Sequence, residues 1–257
     1  MRKSLLSLFL FVLTLGLPAL GLPTLSFAQA AKPTDTIRTD AIPTGKGDLV
    51  ITFLGHGTLM FQWAGLVVHV DPWSRQADYA ALPKADLILV THEHGDHLDG
   101  GAIKAITKPG TVIGSSAKAS ATLGGAVVLN NGDTRELAGI VVDAVPAYNR
   151  EHMRSPGVPY HPQGQGNGYV LHFGQTRVYV AGDTEAIPEM AALKGVDVAF
   201  LPVNLPYTMT IAMLVDAARM IQPKILYPYH TGDTNMAELA ARMKDVPGVE
   251  TRILPMK

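Results

Sequence analysis

The segment Thr91-His92-Glu93-His94-Gly95-Asp96-His97-Leu98-Asp99-Gly100 gathers imidazoles and carboxylates around one central glycine. Imidazole nitrogen and carboxylate oxygen suit zinc, manganese or iron(II), and a short loop bent at a glycine can turn neighbouring side chains toward two different centres. Polar loops do contain histidine by chance, but HxHxDH at a strand end is far more specific than one His–His spacing. The residues just before it, 87–90, are fully apolar and too few for a helix, so they read as a buried strand. Open α/β sheets bind ligands beyond the carboxyl ends of their strands. The chain has no cysteine, which excludes thiolate-held metal, iron–sulfur clusters, disulfides and thiol nucleophiles. Any metal must be held by His, Asp or Glu.

The rest of the chain reads as the scaffold for that loop. Residues 49–54, 58–63 and 66–70 are short β-branched or apolar runs parted by glycine-containing turns, as in a meander of strands. Helices are expected over 100–107 and 117–123 around a strand at 111–113, then strands at 135–137 and 140–145, then a long polar stretch, 148–167. Strands 169–173 and 177–181 form a hairpin through Gly174-Gln175. The order after that is helix 187–193, strand 196–201, helix 210–221, strand 225–228, helix 235–244 and strand 249–253. A meander followed by strands alternating with helices implies layered α/β architecture. Met209, Met213 and Met220 fall at near-helical spacing and read as core, while His69 and His172 lie within strands and read as structural.

The 257 residues carry 21 Lys+Arg against 22 Asp+Glu, a formal net charge of −1, and 47% are hydrophobic. That balance argues against nucleic acid as a partner, and the apolar content supports a sizeable core. Residues 1–30 read as a secretory signal peptide: Arg2 and Lys3 precede the apolar run 5–17, shorter than the roughly 20 residues that span a bilayer. The small-residue sites Ser26-Phe27-Ala28 and Ala28-Gln29-Ala30 place cleavage after Ala28 or Ala30. An exported protein, periplasmic or secreted, with no stable membrane anchor after cleavage is the expectation. Residues 31–47, with Pro33, Pro43, Gly45 and Gly47, read as an N-terminal lead-in, leaving one domain over 48–257. Gly45-Lys46-Gly47 lacks the following Ser/Thr and preceding strand of a phosphate loop.

The histidine-rich loop resembles the metal-binding signature of the metallo-β-lactamase superfamily, and the likeness covers most of the mature chain. Phe53-Leu54-Gly55-His56-Gly57-Thr58 and Val70-Asp71-Pro72-Trp73 resemble the opening of the branch related to ascorbate-phosphate lactonase and N-acyl phosphatidylethanolamine phospholipase D. Tyr179-Val180-Ala181-Gly182-Asp183-Thr184 is similar to the segment carrying the superfamily's bridging aspartate, and Tyr227-Pro228-Tyr229-His230 to its last histidine. The resemblance implies an α/β fold, a four-layer αββα sandwich with a metal cleft along one edge, and a metal-dependent hydrolase. It implies two divalent ions, zinc foremost, with manganese or iron(II) as alternatives. On the family's pattern His92 and His94 bind the first metal with a later histidine, Asp96 and His97 bind the second with His230, and Asp183 bridges. The later histidine is His161, in Tyr160-His161-Pro162, or else His152. A bridging hydroxide, its pKa lowered to roughly 7, would be the nucleophile, with Asp96 orienting it or taking its proton.

The substrate is not fixed by the resemblance. Class B1 β-lactamases place a cysteine on the second metal and the B3 type lacks the bridging aspartate, so the ligand set disfavours both. Glyoxalase II has a further C-terminal helical region with no room after His230, and the nuclease branches need a basic surface. A small ester, lactone or phosphodiester is the expected substrate, with a β-lactamase and a non-catalytic metal-binding protein of the same fold as alternatives. His56 either lines the cleft, touching a ligand or substrate, or packs its turn. Asp71 reads as an orienting or turn residue. Asn204 and Tyr207, after strand 196–201, are candidate donors to an oxyanion. Arg150 and Arg154, in the polar stretch, are candidate contacts for an anionic group.

Overall fold

Parallel strands need a crossover while antiparallel ones need only a turn, and the first sheet uses both in chain order. Its strands are β1 (Arg38–Ile42), β2 (Leu49–Gly55), β3 (Thr58–Trp63), β4 (Leu66–Val70), β5 (Leu87–Val90), β6 (Val112–Ser115) and β7 (Val127–Val128). β1 to β4 pair as an antiparallel meander; β4 to β7 pair parallel. Helices α1 (Gly100–Ile106) and α2 (Ala117–Leu123) make crossovers. The computed structural model describes residues 37–256. The expected leader, with its cleavage points after Ala28 or Ala30, and the start of the expected lead-in lie outside the described residues.

The second sheet begins with β8 (Thr134–Leu137) and β9 (Ile140–Ala147). A separate hairpin, β10 (Met153–Ser155) and β11 (Val158–Pro159), follows. The chain then returns to the sheet as β12 (Gly166–Phe173), β13 (Thr176–Val180), β14 (Val198–Pro202), β15 (Ile225–Tyr229) and β16 (Glu250–Thr251), with β12 lying between β9 and β13. Helices α3 (Ile211–Ile221) and α4 (Met236–Met243) lie between strands β14, β15 and β16 in the chain. Thr210 caps α3 by accepting from the Met213 N–H, and Asn235 caps α4 from Ala237 and Glu238.

Three apolar clusters define the layers. Between the sheets, Phe53, Phe61, Leu87, Tyr169, Phe200 and Tyr227 form the central core. The Phe200 and Tyr227 rings stack at 5.1 Å with Phe53 5.0 Å from Tyr227, contacts that add about 0.5–1.5 kcal/mol each beyond burial. The stripe Leu214, Ala218 and Ile221 of α3 packs with Leu201 and Leu226 on the outer face of the second sheet. Ala102, Ile103 and Ile106 of α1 pack with Leu54, Ile88 and Val90 of the first. The order is helix, sheet, sheet, helix, the four-layer αββα sandwich. Met209, Met213 and Met220 pack in the outer cluster, and no helix among the described residues is long and apolar enough to cross a membrane.

Beyond shifts of a residue or two at element ends and the unexpected two-residue strand β7, three local readings differ from the structure. Residues 38–42 of the expected lead-in are an edge strand: only Ile42 is buried, so no apolar alternation marked it, and pairing with β2 is carried by the main chain. Asp40 ties this edge to the second sheet by accepting from Tyr227 Oη at 2.6 Å and Arg252 Nη1 at 2.8 Å. The helix expected at 187–193 is a 3₁₀ turn, Pro188–Leu193, opened by its proline. The polar stretch holds the β10–β11 hairpin, and β12 starts at Gly166 rather than 169 because Gly166, Asn167 and Gly168 pair with β9; no apolar pattern marks them, and at Gly168 a Cβ would come within 2.8 Å of the Ala181 carbonyl.

The placement of loops matters most. Just past the carboxyl ends of β2, β4, β5, β9, β13, β14 and β15 come His56, Asp71, the 91–97 loop, Asn149, Asp183, Asn204 and His230.

Candidate metal centre

The loop after β5 is held so that its side chains diverge. Its end is fixed by Asp99, which caps α1 by accepting from the Gly101 and Ala102 N–H groups and also receives the Ser74 N–H and hydroxyl. The preceding turn delivers His92 and His94 to one side and Asp96 and His97 to the other. His92 Nε2 lies 3.1 Å from His94 Nδ1, and His161 Nε2 lies 3.2 Å from that same atom. A tetrahedral site with bonds of about 2.0–2.1 Å sets its donor atoms about 3.4 Å apart. These three rings therefore converge on one cation-sized point. On the other side His97, His230, Asp96 and His56 form a second group.

Asp183 joins the two. Its Oδ2 lies 3.3 Å from His161 Nε2 and 3.9 Å from His92 Nε2, whereas its Oδ1 lies 3.4 Å from His97 Nε2 and 3.5 Å from His230 Nε2. One oxygen faces each group. His97 Nε2, His230 Nε2 and Asp183 Oδ1 are buried without a hydrogen-bond partner, which is costly unless a cation occupies the point they share. The donor set and these orphaned atoms fit divalent metal at both positions.

Four of the five ligand histidines have their remaining ring nitrogen beside a protein partner, which leaves the metal-facing nitrogen free to coordinate. Asp71, fully buried, accepts from His97 Nδ1 at 2.8 Å and from the Thr91 hydroxyl and N–H, both at 2.7 Å. Thr91 Oγ1 in turn lies 3.0 Å from His92 Nδ1. Asn149 Oδ1 accepts from His161 Nδ1 at 2.6 Å, and the Asn204 amide lies 3.3 Å from His230 Nδ1. Gly57 is needed beside this array because a Cβ there would come within 2.8 Å of His97 Cε1.

Burial alone would drive these histidines toward the neutral form, and it holds His92 well below its ordinary pKa and lowers His94. Burial opposes charge on His97 as well, but Asp183, Asp71 and Asp96 outweigh it and push its pKa up to about 10. Burial would raise both Asp96 and Asp183. The nearby His230 ring, the hydrogen bond from His56 and the charge of His97 outweigh it at Asp96, and His230, His97 and His161 do so at Asp183, so both carboxyls are held well below the usual range. The two carboxyls therefore stay ionised beside the rings, as ligands to a cation must be.

The structure brings His92, His94, Asp96, His97, His161, Asp183 and His230 together. His152 is elsewhere: its Nδ1 lies 2.7 Å from Glu185 Oε1. His56, at φ +52, does both things considered for it, turning the chain after β2 while its Nε2 lies 3.0 Å from Asp96 Oδ2 and its ring 3.7 Å from that of His230. Asn204 and Tyr207 line the cleft over the centre, Asn204 against His230 and Tyr207 edge-on to Tyr160 at 5.1 Å. Arg154 lines the same cleft; Arg150 does not. His69 Nε2 donates to the Pro83 carbonyl at 3.0 Å and His172 Nε2 pairs with Asp143 at 2.7 Å, both structural.

Sequence reasoning missed Thr91, Asn149 and Glu185. Glu185, buried, accepts from the N–H groups of Arg150, Glu151 and His152 and from Asn149 Nδ2. It thereby shapes the loop that aims Asn149 at His161. Its place two residues after Asp183 was the one available signal.

A family model described as a β-lactamase superfamily domain matches residues 50–230. A UPF0173 metal-dependent hydrolase from Archaeoglobus fulgidus is 32% identical over 191 residues, covering 70% of this chain and 82% of that one. One from Thermus thermophilus is 33% identical over 190 residues with the same coverage, 70% and 82%. Among solved structures, a chain assigned as a metal-dependent hydrolase from Parabacteroides distasonis is 49% identical with a TM-score of 0.82, covering 86% of this chain and 100% of its own. Igni18, a metallo hydrolase from Ignicoccus hospitalis, shares the fold at 24% identity and a TM-score of 0.66, covering 81% of this chain and 96% of its own.

Proposed function

Because the chain belongs to the β-lactamase superfamily and is a metal-dependent hydrolase of that family, we propose that it is an exported dinuclear enzyme cleaving a small ester, lactone or phosphodiester. The observation that carries this reading is the division of Asp183, one oxygen toward His92 and His161 and the other toward His97 and His230. Two divalent cations bound there, zinc foremost, would supply a hydroxide nucleophile at neutral pH and polarise the oxygen of the bond to be cleaved. His92, His94 and His161 would hold the first of them, and Asp96, His97 and His230 the second. Asp96 shares its Oδ2 with His56 at 3.0 Å, so His56 fixes the carboxylate that orients the attacking water and takes its proton. Asp71, Thr91, Asn149 and Asn204 keep the ligand rings aimed. The cleft above them, 560 Å³ in volume, suits a small molecule.

The test is hydrolysis of a panel of aryl esters, lactones, phosphodiesters and a chromogenic β-lactam by purified protein, before and after chelation, beside His94→Ala. Chelator-sensitive turnover of one bond class, lost in the variant, is expected. Turnover that survives both treatments would overturn the metal mechanism, and opening of the β-lactam alone would move the assignment to a β-lactamase. Export is checked separately by fractionation of cells expressing the full chain; retention in the cytoplasm with an intact N-terminus would refute it.

A further inference from the structure

The metal cleft has one charged side chain that no opposite charge among the described residues answers. Arg154, on β10, lines the cleft beside His94, Tyr160 and Tyr207 and has no carboxylate partner among the described residues. The nearby Glu93 is already engaged by Lys118 at 2.6 Å, and Asp96 and Asp183 are turned into the histidine cluster. Arg154 rests its guanidinium over the Tyr160 ring at 5.8 Å and reaches His94, Nη2 to Nε2, at 3.2 Å. That contact is not a lasting partner. His94 presents Nδ1 to the first metal position, 3.1 and 3.2 Å from the Nε2 atoms of His92 and His161, so the neutral metal-bound ring carries its proton on Nε2, and two donors then face each other. The guanidinium fork is left for a ligand.

Its support is tied to the second sheet. The loop leading to β10 is fastened to Glu185 through the N–H groups of Arg150, Glu151 and His152, at 2.7, 2.8 and 2.7 Å. β10 pairs with β11, and Tyr160 follows β11 directly. Arginine on an aromatic face, held one imidazole width from a metal position, is a geometry for bidentate capture of a planar or tetrahedral anion. The same feature in a merely solvated arginine would lack both the aromatic seat and the place inside the cleft.

We propose that Arg154 forms an anion subsite of the metal cleft and that the substrate carries a carboxylate or phosphate group a few bonds from the bond that is cleaved. The inference rests on the hydrolase reading above and narrows its substrate class. Tyr160 and Tyr207 then flank the segment between the anion and the scissile group, one beneath Arg154 and the other edge-on to it.

The experiment measures binding, so it does not depend on turnover. Metal-loaded protein is titrated calorimetrically with isophthalate, meta-phosphonobenzoate and meta-carbamoylbenzoate, which share one carboxylate for the metals and differ in the second group. The anionic pair is expected to bind about tenfold more tightly than the carbamoyl compound. Arg154→Gln should bring that ratio near one with metal content unchanged, and Arg154→Lys should restore only part of it. Lys224→Gln, which removes an exposed charge paired with Asp197 away from the cleft, should leave it intact. The stronger of the two anions assigns carboxylate or phosphate. A ratio near one in the parent protein, a ratio unchanged in Arg154→Gln, or an equal loss in Lys224→Gln would each overturn the subsite. Protein that takes up no metal would instead refute the hydrolase reading on which it rests.

Discussion

Replacing Asp71 by asparagine removes a charge and an acceptor without disturbing the backbone, since asparagine tolerates the φ of +48 found there. The carboxylate now receives three hydrogen bonds, from Thr91 N, Thr91 Oγ1 and His97 Nδ1, at 2.7, 2.7 and 2.8 Å. An amide offers one oxygen and a donating NH₂, so at least one of the three donors must face another donor. Loss of a buried charge-assisted bond costs about 1.5–3 kcal/mol of stability. The larger functional effect falls on His97, whose Nε2 is aimed at Asp183 Oδ1, 3.4 Å away, only while Nδ1 is held. Loosening such an orienting bond weakens a metal site 10–100-fold, about 1.4–2.8 kcal/mol. His161 has its own support in Asn149, so the first position should lose less. Competition with a chromogenic chelator resolves the two affinities, and urea unfolding of metal-free protein gives the stability. A folded Asp71→Asn protein whose weaker metal affinity stays within about threefold of the parent would refute the claim that Asp71 acts through His97.

Glu185→Gln should cost about 2–3 kcal/mol in urea unfolding, because the charged acceptor of the 149–152 loop is lost, and should weaken the first metal position about tenfold through Asn149 and His161; unchanged chelator competition would contradict the second part. Gly57→Ala should displace the His97 ring, given the 2.8 Å approach of a Cβ to Cε1, and be read as loss of the second metal with the first retained. His69 gives a pH effect of known sign. Burial lowers its pKa to about 4, so the unfolded chain takes up a proton from about pH 6.5 downward while the folded one stays neutral. Stability should therefore fall by about 3 kcal/mol between pH 6.5 and 4, a slope that urea unfolding of His69→Gln should lack.

What could be read from the chain was what is local in it. The 58–63, 66–70 and 87–90 strands and the 117–123 helix match the structure because their apolar patterns or caps are complete within a few residues. The metal-type loop stands out for the same reason: its donors are neighbours. The supports of those donors do not stand out. Asn149 and Glu185 are 36 residues apart and Thr91 answers to Asp71 across 20, and each is an ordinary polar residue until the strands bring it to its partner. The choice between His152 and His161 depended on Glu185, which holds the loop carrying one and aims Asn149 at the other. β1 was hidden because an edge strand held by main-chain pairing needs almost no apolar pattern.

The central claim is that Asp183 serves two metals at once, and metal content tests it most directly. Elemental analysis of purified parent protein and Asp183→Asn, each reconstituted and freed of loosely bound ions, should give about two divalent ions per chain in the parent and one or fewer in the variant. Two tightly held ions in both proteins, or none in the reconstituted parent, would contradict the account.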